Sequence, residues 1–143
     1  MLGGGWMQPI EGLKVIDITH VLAGPYCTMV LGDMGADVIK IEQYPNGDLI
    51  RETGPYQNGV SYGFSILNRN KRGIRLNLLE EKGREILYKL IEETDVFVEN
   101  FRPAVAKKIG TDYETLKKIN PNLIYCSISG YGQTGPYREK GGL

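Results

Sequence analysis

Three short stretches of this sequence carry side chains that could meet a ligand: "HVLAGP" (20–25), "NFRP" (100–103) with Lys107 and Lys108 behind it, and "SGYGQTGP" (129–136). His20 is the only histidine, and its ordinary pKa suits proton transfer near neutrality. A histidine closing a strand is as often a hydrogen-bonded structural residue, and both readings stay open here. Phe101, between Asn100 and Arg102, could stack on a planar ring while its neighbours bond polar edges, or could plug the protein beneath the next helix. The basic run "NRNKR" (68–72) could face an anion or pair with nearby acids. Lys107 and Lys108 fall late in a short helical segment, where cations also suit the helix dipole. Cys27 lies in an apolar helical stripe and Cys126 in a strand, which marks both as inert core thiols rather than partners of His20. No His, Cys and acid cluster has ligand spacing, so no metal is expected.

All three stretches end strand-like segments. Five such segments read as "KVIDIT" (14–19), "DVIKIE" (37–42), "GIRLNL" (73–78), "DVFVEN" (95–100) and "LIYCSIS" (123–129). Runs this rich in Val and Ile suit parallel strands covered on both faces. Helical patterns separate most of them. Cys27, Val30, Leu31 and Met34 form one stripe at i, i+3, i+4 and i+7, closed by Gly35. Ile86, Leu87, Leu90 and Ile91 form another within "EEKGREILYKLIEET". Thr111 or Asp112 can cap a helix over 113–119, which Asn120 and Pro121 end. The alternation predicts an α/β fold, a Rossmann-like parallel sheet flanked by helices. Ligands of such sheets bind at the carboxyl ends of the strands. Residues 43–72 hold little that reads as a helix, and a connection of that length is expected to be an ordered loop over the strand ends.

The usual nucleotide motifs are missing. Glu42 ends the second strand, where a ribose-binding acid would sit, but "HVLAGPYCTMVLG" after the first strand is not G-x-G-x-x-G, and no P-loop is present. Pro25 suits the first turn of a helix whose free N–H groups could receive an anion or a polar ligand group. The 143 residues balance 17 Lys and Arg against 17 Asp and Glu, so net charge gives no reason to expect nucleic acid or an anionic membrane. Two distant cysteines point to a reducing, cytoplasmic setting. No apolar run reaches transmembrane length, and "MLGGGWMQ" reads as a loose tail (1–8) before one domain (9–143).

The blocks "EGLKVIDITHVLAGPYCTMVLGDMGADVIKIE" (11–42), "GD" (47–48), "NRNKRGIRLNL" (68–78), "DVFVENFRP" (95–103) and "NPNLIYCSISGYGQTGP" (120–136) together resemble the class III CoA-transferase family. The likeness runs through nearly all of residues 9–137, in family order. It implies the N-terminal portion of the family's large domain, with coenzyme A, as substrate or acyl-CoA, at the strand ends. By resemblance, His20, Val21, Leu22 and Ala23 line the CoA site after the first strand. Gln43 stands where the family often has an adenine-contacting Arg, and Leu79 where it more often has Lys. Leu76 is a contact position; Asn100 and Phe101 border the nucleotide or pantetheine; Lys108 replaces a frequent Arg near the phosphates and Ile109 follows it. Tyr131 approaches the thioester end. Lys at 108 keeps the charge and loses the planar fork. The resemblance implies transfer of CoA between carboxylic acids through an aspartyl-CoA thioester, with the catalytic Asp beyond the end of this chain and no catalytic residue within it. It also implies a second domain and interlocked homodimers. Two alternatives are 2-methylacyl-CoA racemase chemistry and a non-catalytic CoA-binding or partner-binding module.

Overall fold

The computed structural model describes residues 8–142, so the expected tail, apart from Gln8, lies outside the described residues. Five parallel strands form the sheet: β1 (Lys14–Asp17), β2 (Asp37–Gln43), β5 (Lys71–Leu76), β6 (Val96–Glu99) and β7 (Ile124–Ser127), in the order β5-β2-β1-β6-β7. A two-stranded hairpin, β3 (Tyr56–Gln57) with β4 (Val60–Ser61), stands apart from it. The helices are α1 (Ala23–Asp33), α2 (Tyr62–Leu67), α3 (Glu81–Ile91), α4 (Pro103–Lys108) and α5 (Tyr113–Ile119), with a 3₁₀ turn at Leu49–Glu52. Among the described residues, no helix is long and apolar enough to cross a membrane.

This α/β architecture has the doubly wound strand order, which runs outward from β1 in both directions. The crevice between β1 and β6 is the point where the order reverses and where such sheets place ligands. His20 follows β1 and Phe101 follows β6, so the two rings meet there. The central strands β1, β2 and β6 are mostly buried, whereas the edge strands β5 and β7 are largely exposed or half-buried, contrary to the expectation that all would be covered on both faces. Ile16, Ile41, Leu76 and Phe97 pack with Leu87, Ile91, Leu116 and Leu123 in one cluster. Val15, Val38, Val96 and Val98 form a second, smaller one.

Three further expectations need correction. The buried face of α1 is Gly24, Pro25, Thr28, Met29 and Gly32, while Cys27, Val30, Leu31 and Met34 are only half-buried. Small residues win because the helix lies close to its neighbours: a Cβ at Gly24 would stand 2.3 Å from Thr19 Cβ. Thr28 is drawn inward by its hydroxyl, which donates to Asp17 Oδ2 at 2.6 Å. In α3 the expected face holds for Leu87 and Ile91, but Ile86 is 45% exposed, and Gly83 takes the third buried position. Residues 43–72 contain the 3₁₀ turn, the hairpin and α2, rather than loop alone. Ser61 caps α2 by accepting from Phe64 N, and six residues are too few to show an amphipathic period. At α5 the cap is Asp112, which accepts from Thr115 N at 3.3 Å.

Candidate functional site

The turn that leaves β1 is held by side chains from three other elements. Asn100 binds the main chain of His20 on both sides: its Oδ1 accepts from His20 N and its Nδ2 donates to His20 O, each at 2.9 Å. Val21 follows with φ +66°, a left-handed conformation that costs a β-branched residue about 1–2 kcal/mol. The compensation comes from Asp48, whose Oδ1 accepts from Val21 N at 3.0 Å and from Ile50 N at 3.0 Å. Asp48 Oδ2 has no donor at hydrogen-bonding angle, and its partner is the Lys40 ammonium, 2.9 Å away. Gly47 lets the loop turn there, since its φ is +86° and a Cβ would lie 2.7 Å from Glu42 Oε2.

Beneath the turn lies a buried charge network. Asp17 Oδ1 accepts from Thr19 N (2.8 Å) and Thr19 Oγ1 (2.5 Å), and Oδ2 accepts from Thr28 and from Lys71 Nζ (3.0 Å). Lys40 Nζ donates to Thr19 O at 2.7 Å and stands 4.0 Å from Asp17 Oδ2. Burial alone would push the Asp17 carboxyl up, but Lys40, Lys71 and the two threonine hydroxyls hold it below the ordinary range. Burial pulls Lys71 below the ordinary lysine range against the pull of Asp17. Glu42 is held down, against its burial, by Arg51, which donates to both of its oxygens at 2.6 and 2.7 Å, and by Asp48 N at 2.9 Å. With both oxygens committed, Glu42 is not a free acid for a ribose. The remaining cations of "NRNKR" are also paired, Arg69 with Asp33 and Arg72 with Asp37, so this run is structural.

On the far side of the crevice, Phe101 packs against His20 with ring centroids 5.0 Å apart. Its N–H donates to Glu99 Oε2 at 2.7 Å. Burial raises the Glu99 carboxyl, with Ser127 and the Phe101 N–H pulling against it. Burial lowers the His20 imidazole below its ordinary range, with Lys40 adding to the effect and Asp48 opposing it. Burial also raises Cys27 and Cys126, which leaves both as unreactive thiols.

Two clefts open from this junction. The first, of about 420 Å³, is walled mainly by aliphatic side chains and includes Gln43, Leu76, Leu79, Lys108 and Ile109. The second, of about 700 Å³, includes Val21, Leu22, Ala23 and Asn100, with the segment 128–142 as its far wall. His20, Phe101 and Val105 line both. Tyr131 lines neither; it is exposed and packs on Tyr137 at 5.8 Å. Asn100 lines the second cleft and spends its amide on the main chain of His20, which fixes that turn. Sequence reasoning singled out no role for Asp48, Lys40 or Val105. For Asp48 the available signal was the Gly47-Asp48 pair inside a long connection; for Lys40, none of its buried partners is near it in sequence. Among the described residues, no group of His, Cys and acids is placed to hold a metal.

Known proteins agree with this fold and these blocks. The profile of CoA-transferase family III matches residues 10–143. The chain is 47% identical over 137 residues to succinyl-CoA:glutarate CoA-transferase of Mus musculus, covering 95% of this chain and 31% of that protein. It is 52% identical over 128 residues to acetyl-CoA:oxalate CoA-transferase of Acetobacter aceti, covering 90% and 33%. A crystal structure of a CAIB/BAIF family protein from Brucella suis superimposes with a TM-score of 0.89 at 47% identity, over 94% of this chain and 37% of that one. The chain thus spans about a third of the length of the curated relatives it matches. A profile match over almost every residue, carried on the doubly wound sheet and its strand-end clefts, means that this chain belongs to CoA-transferase family III.

Proposed function

We propose that this chain supplies the coenzyme A-binding part of an enzyme that moves CoA between carboxylic acids, with short dicarboxylic acids as the acyl partners. The observation that carries the reading is the convergence of the family-implied positions on one junction. His20 and Phe101 form its centre, Leu76, Leu79 and Ile109 offer apolar surface for the pantetheine and adenine, and Lys108 stands at the rim for a phosphate. Gln43 and Leu79 give that rim no charge where the family often has Arg and Lys, so Lys108 has the larger share of the phosphate contact. Tyr131, outside both clefts, is assigned to the thioester end. Asn100 and Asp48 act by positioning, since each holds a main-chain N–H of the His20–Val21 turn. Dicarboxylic partners follow from the named relatives, which act on succinyl-CoA with glutarate and on acetyl-CoA with oxalate.

In the proposed reaction an aspartate carboxylate attacks the acyl-CoA carbonyl and expels CoA thiolate, leaving a mixed anhydride. The thiolate then attacks the aspartyl carbonyl of the anhydride, releasing the first acid and leaving an aspartyl-CoA thioester. The second acid repeats the two steps in reverse. We assign that aspartate to a part of the enzyme that this chain does not supply. The carboxylates lining the clefts are Glu42 and Asp48, and both are committed, Glu42 to Arg51 and Asp48 to Lys40 and the Val21 N–H. Titration of the chain with CoA, followed by NMR, is the test. CoA should shift the His20, Leu79 and Phe101 signals, and Phe101→Ala should weaken binding about fivefold or more, as loss of one ring contact does. CoA binding that leaves these signals unmoved, or that Phe101→Ala does not weaken, would refute it.

A further inference from the structure

Glu99 is a buried acid, 1% exposed, that lines neither cleft and takes no part in the proposed reaction. Its neighbours join two separate pieces of the ligand edge. On one side Glu99 Oε2 accepts from the N–H of Phe101, the residue common to both clefts, at 2.7 Å. On the other side the β6–β7 register sets Glu99 beside Ser127, and residues paired across neighbouring strands point to the same face. The Ser127 hydroxyl hydrogen-bonds the carboxyl. Ser127 Oγ in turn accepts from Gln133 Nε2 at 2.6 Å. Gln133 lies in "SGYGQTGP" (129–136), which also carries Tyr131 and sends Ser129 and Gly130 to the wall of the second cleft.

Proton supply gives these contacts one direction. The Gln133 amide N–H can only donate and an ionised carboxylate can only accept, so the hydroxyl between them takes the amide on its oxygen and gives its own proton to Glu99. Tyr125, the other hydroxyl at this carboxyl, gives its single proton to Thr111 O at 3.0 Å. Ser127 and the Phe101 N–H therefore share one carboxylate. We propose that Ser127 and Gln133 are positioning residues of the ligand junction: acting through Glu99, they tie the placement of the 129–136 loop to the main chain of Phe101. Loop and ring then close on one ligand together. The consequence for binding rests on the CoA reading, and the coupling itself does not.

Backbone NMR of the unliganded 143-residue chain reads the coupling directly. Ser127→Ala leaves the carboxylate charge to a single donor, so the Phe101 amide-proton signal should move downfield. Gln133→Ala, which only weakens Ser127 as a donor, should move it the same way by less. Ser127→Thr keeps the hydroxyl and should restore the parent position. Titration with CoA should show each alanine variant weakened about threefold, the scale of one hydrogen bond at a solvent-facing site, and Ser127→Thr close to the parent. Gln133 is exposed, so Gln133→Ala gives the reading should Ser127→Ala fail to fold. A Phe101 signal that the alanine variants leave unmoved overturns the proposal. So does CoA affinity equal to that of the parent while the signal moves. A parent chain that does not bind CoA, with the Phe101 signal still following the series, would leave the coupling standing and remove the CoA reading instead.

Discussion

The two sides of the β1–β6 crevice are built to the same end by different means. On the β1 side the turn is tied down by charge: Asp48, Lys40, Asp17 and Lys71 form a buried chain of contacts that ends on the Val21 N–H. On the β6 side Phe101 packs against the core cluster that contains Phe97, Leu116 and Ile109, and its N–H donates to the Glu99 carboxylate. A buried charge chain is stable only while every member is present, since removing one strands the others in a low-dielectric interior. An apolar support loses strength in proportion to what is removed. The charged side should therefore fail abruptly and the apolar side gradually.

Removing Asp17 breaks this comparison most sharply. Asp17→Ala leaves Lys71 without its counter-ion and Lys40 with one fewer, and should cost about 3–5 kcal/mol, enough to abolish folding of a marginal domain. Chemical denaturation of Asp17→Ala beside Asp17→Asn is the measurement. A loss under 1 kcal/mol would show that the network is not what holds the turn. The pH dependence has the same origin. The Asp17 carboxyl is depressed in the folded chain, so its contribution is present above the unfolded carboxylate range and disappears as pH falls through the lower folded value.

What the sequence could and could not disclose follows the same division. The central strands stand out by their Val and Ile, while β5, read two residues late, and β7 carry one Ile each. That His20 and Phe101 sit just beyond two strand ends was legible in the same way. The charge network was hidden. Lys40 sits in the middle of "DVIKIE", where alternation marks a polar residue as exposed, yet it is 2% exposed because its partners come from the β1 end and a loop eight residues on. Lys71 was submerged in the run "NRNKR", whose members part company in space. The stripe of α1 was misassigned for a related reason: hydropathy cannot see that Thr28 is wanted inside by Asp17.

Glu99 offers a smaller test, with the opposite sign. Its carboxyl is raised in the folded chain by burial, so the stability it brings is present below the unfolded value and is lost as pH rises through the folded one. Glu99→Gln keeps an oxygen for the Phe101 N–H and removes the charge. It should leave acid stability little changed, gain about 1 kcal/mol above the ordinary carboxylate range, and abolish that part of the pH slope. Thermal unfolding across pH 4 to 8 measures this, and a mutant whose slope matches the parent would remove Glu99 from the account.

The smallest effect belongs to the outer edge of the sheet. Arg72 on β5 donates to Asp37 on β2 in a two-bond geometry resembling that of Arg51 on Glu42. Geometry alone would rank the two pairs together. Exposure separates them: the Arg72 and Asp37 side chains are 67% and 49% exposed, whereas Glu42 is 4%. Water and salt already satisfy the outer charges, so Arg72→Ala should cost less than about 0.5 kcal/mol, while Arg51→Ala leaves Glu42 buried without its partner and should cost several times more. Raising salt to about 1 M should erase the Arg72 effect and leave most of the Arg51 effect, because screening reaches only charges the solvent can approach. Equal losses for the two variants would mean that paired geometry, rather than burial, sets the strength of the contacts around this site.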